Sequence, residues 1–394
     1  MKKLLFISNS TKPTYEQLMS REKVKLTNVS IPCVEAALSM GYEVFMGINR
    51  INPEELDCDY NVKFYYASIY RSLFDFKSNY TAYKNLMSLL KREKIDVIHC
   101  NTPIGGLLGR LCGKMMKTPK IIYTAHGFHF YKGAPLINRT IFKWAEMWLA
   151  RYTDAIITIN QEDYQAAQKF KLRNNGKVYY IPGVGVDTKA FRLEGVDKQV
   201  IRSALGLSAE DIVLIAMGDL IQRKNYAASI KAIAKADNTK LHFLICGKGP
   251  LLDELKALAR KLNVENQIHF LGFRTDIKEL LQAADIFLFT TYQEGLPRSM
   301  MEAMAAGLPC VASKIRGNVD LIEDGKGGFL RKPEDIDGFA EAINKLAFNK
   351  DLRKSMGLSN LKTIIRFDVE NVKSEMKKLY EKELTKLSTG WGGK

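Results

Sequence analysis

The chain has 394 residues, of which 46% are hydrophobic and 26% charged, with 28 glycines and 11 prolines. This composition is close to average globular usage and excludes fibrous and wholly disordered proteins, and the length predicts two domains. The formal net charge of +16 indicates a polyanionic partner such as nucleic acid, anionic lipid or a phosphorylated substrate. Residues 1–182 hold 26 basic and 15 acidic residues, so we expect the first half of the chain to face the anion.

The beginning of the chain and its cysteines indicate the compartment. The apolar run that follows Lys2 and Lys3 is too short for a secretory signal and predicts a first strand. No apolar stretch approaches the ~20 residues that a membrane-spanning helix needs. The six cysteines include no CxxC pair, which predicts neither a zinc site nor a disulfide framework and favours a reducing cytoplasm.

Short apolar runs alternate with helical patterns along both halves of the chain. In the first half the predicted strands are Leu4–Ser8, Glu43–Gly47, Val97–Cys100, Ile121–Ala125, Ala155–Ile159 and Val178–Ile181, and the predicted helices include Thr27–Met40, Ala82–Glu93 and Asn138–Tyr152. After a polar connection at 183–196 the predicted strands are Ile212–Met217, His242–Cys246, Gln267–Leu271, Ile286–Thr290 and Pro309–Ala312. This alternation is typical of parallel α/β sheets.

The fold class predicted is therefore α/β, with two Rossmann-like domains at residues 1–183 and 184–369. Glu370 to about Leu387 has the pattern of a charged amphipathic helix, which could cross back to the first domain, and Ser388–Lys394 is a glycine-rich tail. Ligands of such folds bind at the carboxyl ends of the strands, in the cleft between two halves.

The segment Thr290–Ser313 carries the most chemical information. Its pattern predicts a buried strand ending at Thr290, a glycine turn, and a helix that Pro297 opens and that ends at Ala306. The free backbone N–H groups of Leu296–Ser299 would form a positive helix end suited to a phosphate.

Two glutamates in this segment are candidate ligand contacts. Glu302, about one and a half turns into the helix, could accept hydrogen bonds from two ribose hydroxyls. Glu294 lies on the turn, where it could touch a sugar over the helix end. Either glutamate alone could cap a turn or be a solvated helix residue, but the pair in this context favours binding.

The seven residues between Glu294 and Glu302, followed by Ala303–Pro309, resemble the EX7E signature of the GT-B-fold retaining glycosyltransferases of family 4. Met217–Asn225 resembles the loop of that family in which an Arg and a Lys clamp the donor diphosphate. Further segments that resemble the family are Thr124–Gly127, Ile159–Asn160, Ile181–Asp187 at the interdomain hinge, and Cys246–Leu251 and Leu271–Arg274 around the nucleotide base. Pro182–Asp187 is similar in style to bacterial capsule and exopolysaccharide transferases.

The resemblance implies an acceptor-binding first domain and a donor-binding second domain. It implies no cofactor, because the nucleotide-sugar is a substrate, and UDP is the nucleotide that is more frequent in the family. The implied catalytic residues are His126, Glu294, Arg223 and Lys224. The implied donor-binding residues are Gly218, Arg223, Lys224, Gly247, Gly272, Phe273, Arg274, Glu294, Gly295, Leu296, Pro297, Arg298 and Glu302.

The chemistry of a leaving diphosphate fits these residues. Its growing negative charge must be stabilised, and a forked Arg223, a Lys224 point charge and a helix end could do this without a metal ion. Two Asp-x-Asp strings, Asp57–Asp59 and Asp335–Asp337, could hold a divalent ion, but the first lies in a polar connection and the second opens a helix. We therefore predict no metal site.

His126 follows a predicted strand, at an end where substrates bind. We predict that it hydrogen-bonds a sugar hydroxyl and supports an oxocarbenium-like transition state, with a purely structural role as the alternative. His129, His242, His269 and the strand residue His99 are predicted to be structural. No general base is predicted, because the departing phosphate can take the acceptor proton.

The loop after the first strand departs from the family pattern. It reads Ser8–Pro13 where most relatives have a glycine-rich loop. The length of the connection Asn9–Leu26 favours a mobile lid over the acceptor.

Residues 101–150 contain a strongly basic stretch. Its cations are Arg110, Lys114, Lys117, Lys120, Lys132, Arg139 and Lys143, against the single acid Glu146, and its large apolar residues include Met115, Met116, Phe142, Trp144 and Trp148. This pattern predicts peripheral attachment to the cytoplasmic leaflet of the membrane. The resemblance to bacterial polysaccharide transferases implies an acceptor saccharide on a polyprenyl diphosphate. The alternative is a solvated basic surface with its tryptophans in the core.

The residues predict a metal-independent transfer of a sugar from a nucleotide-sugar. The resemblance to family 4 implies retention of configuration and a lipid-linked saccharide acceptor in cell-surface polysaccharide synthesis. The alternative enzyme is a nucleotide-sugar epimerase on the same fold. A nucleic-acid-binding protein is disfavoured because only Lys143-Trp144 interleaves basic and aromatic residues. A dehydrogenase is disfavoured because Gly247-Lys248-Gly249 lacks the third glycine of a dinucleotide fingerprint.

Overall fold

A computed structural model gives the three-dimensional structure and describes residues 1–72, 74–193 and 195–385. The chain forms two compact units. Unit 1 comprises residues 1–184 together with the chain from residue 370, and unit 2 comprises residues 185–369. The boundary lies one residue from the predicted one, and the C-terminal helix belongs to unit 1.

The strands, all in parallel pairs, have the following bounds in chain order: β1 Lys3–Ile7, β2 Glu43–Ile48, β3 Val62–Tyr66, β4 Val97–Asn101, β5 Lys120–Ala125, β6 Ala155–Thr158, β7 Lys177–Tyr180, β8 Ile212–Met217, β9 Leu241–Cys246, β10 Ile268–Gly272, β11 Ile286–Phe289, β12 Cys310–Ser313 and β13 Gly328–Arg331.

The α-helices have the following bounds: α1 Tyr15–Met19, α2 Ile31–Ser39, α3 Phe76–Glu93, α4 Pro103–Met115, α5 Lys143–Ala150, α6 Gln161–Ala167, α7 Lys198–Ala204, α8 Tyr226–Ala236, α9 Leu252–Lys261, α10 Ile277–Ala283, α11 Arg298–Ala305, α12 Asn318–Leu321, α13 Ile336–Ala347, α14 Lys350–Ile364 and α15 Val369–Leu384. A π-helical turn, Asn138–Phe142, leads directly into α5.

Both sheets have the strand order of a Rossmann-type fold. The described strands of unit 1 follow the order β3-β2-β1-β4-β5-β6-β7, and those of unit 2 the order β10-β9-β8-β11-β12-β13. The order reverses between β1 and β4 and between β8 and β11. These reversal points are where open α/β sheets bind their ligands.

The unit 1 sheet is buried on both faces, and side-chain alternation decides which residues face which helices. Val97 on β4 and Ile122 on β5 belong to the core that includes residues of α2 and α15. Ile98 and Ile121 belong to the opposite core, with residues of α3 and α4. Helix α15 contributes its buried residues Val372, Met376, Leu379, Tyr380 and Leu384 to the first of these cores.

Several predicted elements need correction. The analysis of apolar runs missed β3 and β13. Helix α3 begins at Phe76 rather than Ala82 because Asp75 caps it, accepting a hydrogen bond from Ser78 N. The C-terminal helix begins at Val369 and ends at Leu384, and the predicted tail at 388–394 lies outside the described residues.

The segment Asn9–Leu26 is partly ordered by local structure rather than being an open loop. Thr14 forms a capping box with Gln17 at the start of α1. Asn9 N donates to Thr102 Oγ1 at 3.0 Å, and Val24 N donates to the Asp57 carbonyl at 2.7 Å. Hydrogen bonds thus tie the segment to its neighbours near both ends, and the mobile lid over the acceptor stays a prediction.

Among the described residues, no helix combines the length and the apolarity that crossing a bilayer requires.

Candidate functional site

The loops after β8 and β9 pack backbone to backbone in unit 2. A Cβ atom on Gly247 would lie 1.9 Å from the Gly218 carbonyl oxygen, and Gly218 itself has φ of 149°. Leu220 N donates to the Lys248 carbonyl at 3.0 Å. Only glycine at 247 allows this approach, so these two predicted donor-binding glycines shape the strand ends next to the reversal point.

The turn that carries Arg223 and Lys224 is locked onto the loop after β11. It is a single 3₁₀ turn, Gln222–Lys224, ended by Asn225 in the left-handed conformation with φ of 52°. Asn225 Nδ2 donates to the Thr290 carbonyl at 3.0 Å, and Thr290 Oγ1 donates to the Asn225 carbonyl at 2.8 Å. These reciprocal bonds hold both cationic residues beside the turn that contains Glu294.

Glu294 is the centre of a charged cluster. Its Oε1 accepts from Lys224 Nζ at 2.8 Å, from Arg223 Nη1 at 2.9 Å and from Thr291 Oγ1 at 3.1 Å. The side chain of Glu294 is 11% exposed and that of Lys224 13%, whereas that of Arg223 is 41% exposed. The structure thus brings together three predicted catalytic residues, with the carboxylate compensating two cations that could otherwise bind a diphosphate.

Helix α11 begins directly after this cluster. Pro297 is its N-cap, with φ of −77° and ψ of 114°, and the helix runs from Arg298 to Ala305. The sequence predicts that Pro297 lies inside the first turn. The helix instead starts one residue after Pro297, and Leu296 lies before it. The positive helix end consists of the N–H groups of Arg298, Ser299 and Met300, which have no partner within the helix.

Glu302 lies one turn into α11, where its Oε1 accepts from Arg298 Nε at 2.8 Å. The side chain is 15% exposed, and that of Arg298 is 53% exposed. Burial raises the pKa of Glu302, and Arg298 opposes this only in part. The alternative of a solvated helix residue is therefore wrong for Glu302, because its carboxylate is largely buried and held by an exposed partner.

The loop after β10 contains the predicted base contacts. Gly272 has φ of 68°, Phe273 is 72% exposed, and Arg274 Nε donates to Asp276 Oδ1 at 2.8 Å. In the sheet order β10 lies two strands from β8. The ion pair holds the pKa of Asp276 below its usual range, so Arg274 has a structural partner, while the Phe273 ring is free to stack.

The corner formed by Gly295 and Gly317 completes the turn. Gly317 has φ of 83°, and a Cβ atom there would lie 2.6 Å from the Gly295 carbonyl oxygen. Arg316 Nε donates to the Glu294 carbonyl at 3.1 Å. The backbone on both sides of Glu294 is therefore fixed by neighbours after β12.

His126 lies in unit 1, just after β5. Its Nε2 is 3.0 Å from Oδ1 of Asn101, the last residue of β4. Burial lowers the pKa of His126 to about 4, so the ring is neutral at pH 7. His99 is completely buried between Tyr380 OH (2.5 Å from Nδ1) and Thr124 Oγ1 (2.7 Å from Nε2), which confirms its structural role.

Three of the four aspartates in the two Asp-x-Asp strings have other side-chain partners. Asp335 caps α13, accepting from Gly338 N at 2.9 Å, and Asp337 pairs with Lys235. Asp59 pairs with Lys23. In the described ranges, no group of three or more His, Cys, Asp or Glu side chains is arranged to hold a metal ion.

The basic stretch of residues 101–150 is only partly a surface. Arg110 is fully buried, stacks 3.9 Å over the Tyr123 ring and pairs with Glu146 at 2.8 Å. Lys120 pairs with Glu383. These two cations must be removed from the predicted membrane-facing set, as must Met116, which packs against the core. Five exposed cations remain: Lys114, Lys117, Lys132, Arg139 and Lys143.

Sequence reasoning missed three residues that the structure connects to these sites: Thr291, Asn225 and Asn101. Thr291 donates to Glu294 across the turn that both residues share. Asn225 fixes the cationic turn through a hydrogen bond to Thr290, more than 60 positions away in the sequence. Asn101 could have been recognised as a candidate because it is a polar residue at the end of an apolar strand.

Comparison with known proteins agrees with this geometry. The family model described as "Glycosyl transferases group 1" matches residues 197–362, and the model described as "Glycosyltransferase Family 4" matches residues 33–190. EpsD of Bacillus subtilis, which is described as a glycosyltransferase, is 35% identical over 86% of this chain and 89% of its own length. An Escherichia coli UDP-Gal:alpha-D-GlcNAc-diphosphoundecaprenol alpha-1,3-galactosyltransferase is 31% identical over 78% of this chain and 79% of its own length.

Solved structures share the fold. Anabaena Alr3699/HepE in complex with UDP and glucose superimposes with a TM-score of 0.74 at 20% identity, covering 97% of this chain and 100% of that one. Sucrose-phosphate synthase from Thermosynechococcus elongatus gives a TM-score of 0.79 at 18% identity, covering 97% and 99%. The two Rossmann-like units, the family matches and the similarity to EpsD lead to one assignment: this chain is a glycosyltransferase and belongs to the GT-B-fold glycosyltransferases of family 4.

Proposed function

We propose that the enzyme transfers a sugar from a UDP-sugar to a saccharide carried on a polyprenyl diphosphate, with retention of anomeric configuration and without a metal ion, in the synthesis of a cell-surface polysaccharide. The observation that carries the proposal is the cluster of Arg223 and Lys224 on Glu294 at the strand-order reversal of unit 2. The names of relatives support the acceptor class, since the E. coli relative and one from Campylobacter jejuni (25% identical) are described as acting on diphosphoundecaprenol-linked saccharides.

The cationic turn supplies the charge that the leaving group needs. Arg223 can fork onto two phosphate oxygens, and Lys224 adds a compact charge whose position is set by the Phe289 ring 4.9 Å away. Both cations are held in place by their hydrogen bonds to Glu294. The site is therefore preorganised for a diphosphate. The N–H groups at the start of α11 add their partial positive charge on the same side of the turn.

The other donor contacts follow from the loops. Glu302 would accept from the ribose hydroxyls after Arg298 releases one carboxylate oxygen. Phe273 would stack on the base, beside Gly272 and Arg274. Gly218 and Gly247 leave room for the donor close to the backbone.

His126 is the proposed contact to the transferred sugar. A neutral imidazole can accept a hydrogen bond from a sugar hydroxyl without placing a positive charge beside an oxocarbenium-like transition state. The departing phosphate takes the proton from the acceptor hydroxyl, so the reaction needs no separate general base.

A transfer assay tests the proposal. The full chain is incubated with a panel of UDP- and GDP-sugars and a polyprenyl-diphosphate-linked monosaccharide, and the product linkage is read by NMR. We expect the product linkage to have the same anomeric configuration as the donor sugar. We also expect the turnover to persist in excess EDTA. An inverted anomer, or activity that EDTA abolishes and magnesium or manganese restores, would contradict retention or metal independence respectively.

A nucleotide-sugar epimerase is the alternative on this fold. It would bind the same donor and change it in the absence of any acceptor. Incubation with the donor alone distinguishes the two, because a transferase leaves the sugar configuration unchanged apart from slow hydrolysis.

Peripheral membrane binding through unit 1 is part of the proposal. Ile137, Ile141, Trp144 and Trp148 recur at helical spacing along 137–148, and the first three of them are more than half exposed. Lys143 and Arg139 lie on the same segment and are exposed, as are Lys114 and Lys117 of the neighbouring α4 region. An exposed apolar stripe flanked by cations fits the interface of an anionic bilayer, where each cation contributes about 1 kcal/mol.

Liposome co-sedimentation tests membrane binding. Wild-type protein should bind vesicles of anionic lipid at low salt and release them at high salt. Combined Lys114→Glu, Lys117→Glu and Lys143→Glu should abolish binding, whereas Lys256→Glu, Lys261→Glu and Lys278→Glu, three exposed lysines of unit 2, should change it little. Equal loss in both triple variants would mean that net charge, rather than this surface, causes binding.

A further inference from the structure

One face of the unit 1 sheet changes from apolar to polar at its carboxyl end. His99 and Asn101 alternate with Ile98 and Cys100 on β4, so they face the α2 and α15 side. Asn101 pairs in register with Thr124 on β5, and His126 follows two residues later. The four polar groups therefore share one face, at the edge of an otherwise apolar core.

Asn101 is almost completely buried, with 1% exposure, and its Oδ1 is 3.0 Å from His126 Nε2. A carbonyl oxygen can only accept, so this contact requires the imidazole proton on Nε2 and leaves the lone pair on Nδ1. Asn101 Nδ2 has no hydrogen-bond partner within the described residues. Both side chains line a cavity with room for about one water molecule.

We infer that Asn101 is a positioning residue for His126: it fixes the ring orientation and the Nε2–H tautomer, and so leaves Nδ1 as the atom that accepts a hydrogen bond from the transferred sugar. The sugar contact rests on the proposed function, whereas the tautomer is a property of the protein alone. The bond that carries the inference joins the last residue of β4 to the residue that directly follows β5, so the ring is held at the edge of the sheet.

The groups around His126 do not change protonation near pH 7, so Asn101 acts on the tautomer of the His126 ring. Besides His126, the titratable side chain that lines the cavity is Cys33 of α2. Behind the lining, His99 of β4 contacts the cavity residue Thr124, and Tyr380 of α15 contacts His99. Burial lowers the pKa of His99 to about 3 and raises that of the Cys33 thiol to about 12, so both are neutral at pH 7. His126 is neutral as well, which means that the position of its single proton decides which ring nitrogen can accept.

Nitrogen NMR of the ligand-free full chain, labelled with ¹⁵N-histidine, tests the tautomer directly. Wild-type His126, assigned by comparison with His126→Gln, should show the Nε2–H pattern at pH 7. Asn101→Asp keeps the acceptor oxygen, so it should keep that pattern and raise the titration midpoint of His126 by about 1–3 pH units. Asn101→Leu should give a mixture of tautomers or the opposite one. An Nδ1–H pattern in the wild type would overturn the inference without any variant.

Kinetics separate positioning from general packing. Asn101→Leu should lower kcat about tenfold or more with little change in the donor KM, because the donor nucleotide is bound elsewhere. Asn101→Asp should recover much of the activity at pH values above its new His126 midpoint. Cys33→Ala alters the same cavity without contacting the ring and should stay within about twofold of wild type. Full activity of Asn101→Leu would overturn the positioning role.

The two hypotheses fail differently. If His126→Ala is fully active while the wild-type ring is Nε2–H, the proposed sugar contact is wrong and the structural assignment of the tautomer stands. If His126→Ala is inactive but Asn101→Leu keeps both the tautomer and kcat, the sugar contact stands and the role of Asn101 is wrong.

Discussion

The two units share one architecture but stabilise the polar groups at their strand ends in different ways. In unit 2 a carboxylate, Glu294, compensates two cations that lie within 3 Å of it. In unit 1 two imidazoles, the buried His99 and the partly buried His126, are neutral and are hydrogen-bonded to hydroxyl and amide groups. The same strand order therefore supports an ionic site in one unit and a neutral site in the other.

The difference matches the two parts of the proposed nucleotide-sugar donor. A diphosphate gains charge as it leaves, and fixed cations stabilise that gain. A sugar carries hydroxyl groups and develops positive charge, which a neutral acceptor tolerates better than a cation. The comparison predicts that changes in unit 2 act mainly through charge and that changes in unit 1 act through hydrogen bonding and protonation.

The largest effect is expected from the cationic turn. Arg223→Ala and Lys224→Ala should each lower kcat roughly 100–1000-fold, with a much smaller change in donor KM, because they stabilise charge that grows in the transition state. Steady-state kinetics with saturating acceptor measure this. Lys235→Ala, which removes an exposed lysine paired with Asp337, is the matched control. A change confined to KM would place both residues in ground-state binding.

Acid should destabilise unit 1 before its carboxylates titrate. Both imidazoles have folded-state pKa values, about 4 for His126 and about 3 for His99, below the unfolded value of 6.5. The unfolded chain therefore binds more protons between pH 6.5 and 4, and the stability that is present above 6.5 falls as the pH drops through this window. We expect a loss of a few kcal/mol.

Urea unfolding at pH 7 and pH 5 measures this loss. Trp144 and Trp148 report on unit 1, and Trp391→Phe removes the remaining tryptophan. His126→Gln should flatten the pH dependence, whereas His129→Gln, at an exposed histidine of the same unit, should leave it unchanged. Equal flattening by both variants would mean that the burial of His126 is not the cause of the acid sensitivity.

A smaller effect is expected at the ribose. Glu302→Gln should weaken UDP binding about tenfold, because the neutral amide accepts hydrogen bonds less strongly than the carboxylate. Isothermal titration calorimetry with UDP measures the affinity. Glu341→Gln, an exposed glutamate on α13, should not change it. Unchanged affinity in Glu302→Gln would remove the ribose role.

The smallest effect is expected from Tyr380→Phe. The lost hydroxyl leaves His99 Nδ1 without its 2.5 Å partner, which should cost unit 1 roughly 1 kcal/mol in the free energy of unfolding. Urea unfolding followed by tryptophan fluorescence measures this, with the exposed Tyr80→Phe as control. UDP affinity, a property of unit 2, should stay the same.

Local patterns predicted most of the fold because strands buried on both faces are continuous apolar runs. They missed β3, where Lys63 and two tyrosines interrupt the apolar run, and β13, which begins with a glycine of φ 154°. Glu294, Glu302, Arg223 and Lys224 are recognisable through their resemblance to the motifs of family 4. Asn101 and Thr291 are not, since their roles depend on which side chains the sheet brings next to them.

The burial of Arg110 teaches the same lesson. In a count of charges it resembled the exposed lysines around it, yet it is covered completely and bound to Glu146 and the Tyr123 ring. A charge in the sequence identifies a surface only when its partner is known.

Helix α15 has a consequence for how the polypeptide is made. Unit 1 is assembled from the first and the last parts of the chain, and Val372, Met376, Leu379, Tyr380 and Leu384 fill its core. On a ribosome that adds 5–20 residues per second, the nascent strands of unit 1 wait about 10–40 s while residues 185–369 emerge. During that time the apolar face that α15 covers is open to chaperones and to other nascent chains. Unit 2, which is contiguous, can complete its own core before unit 1 does, although most of unit 1 is synthesised first.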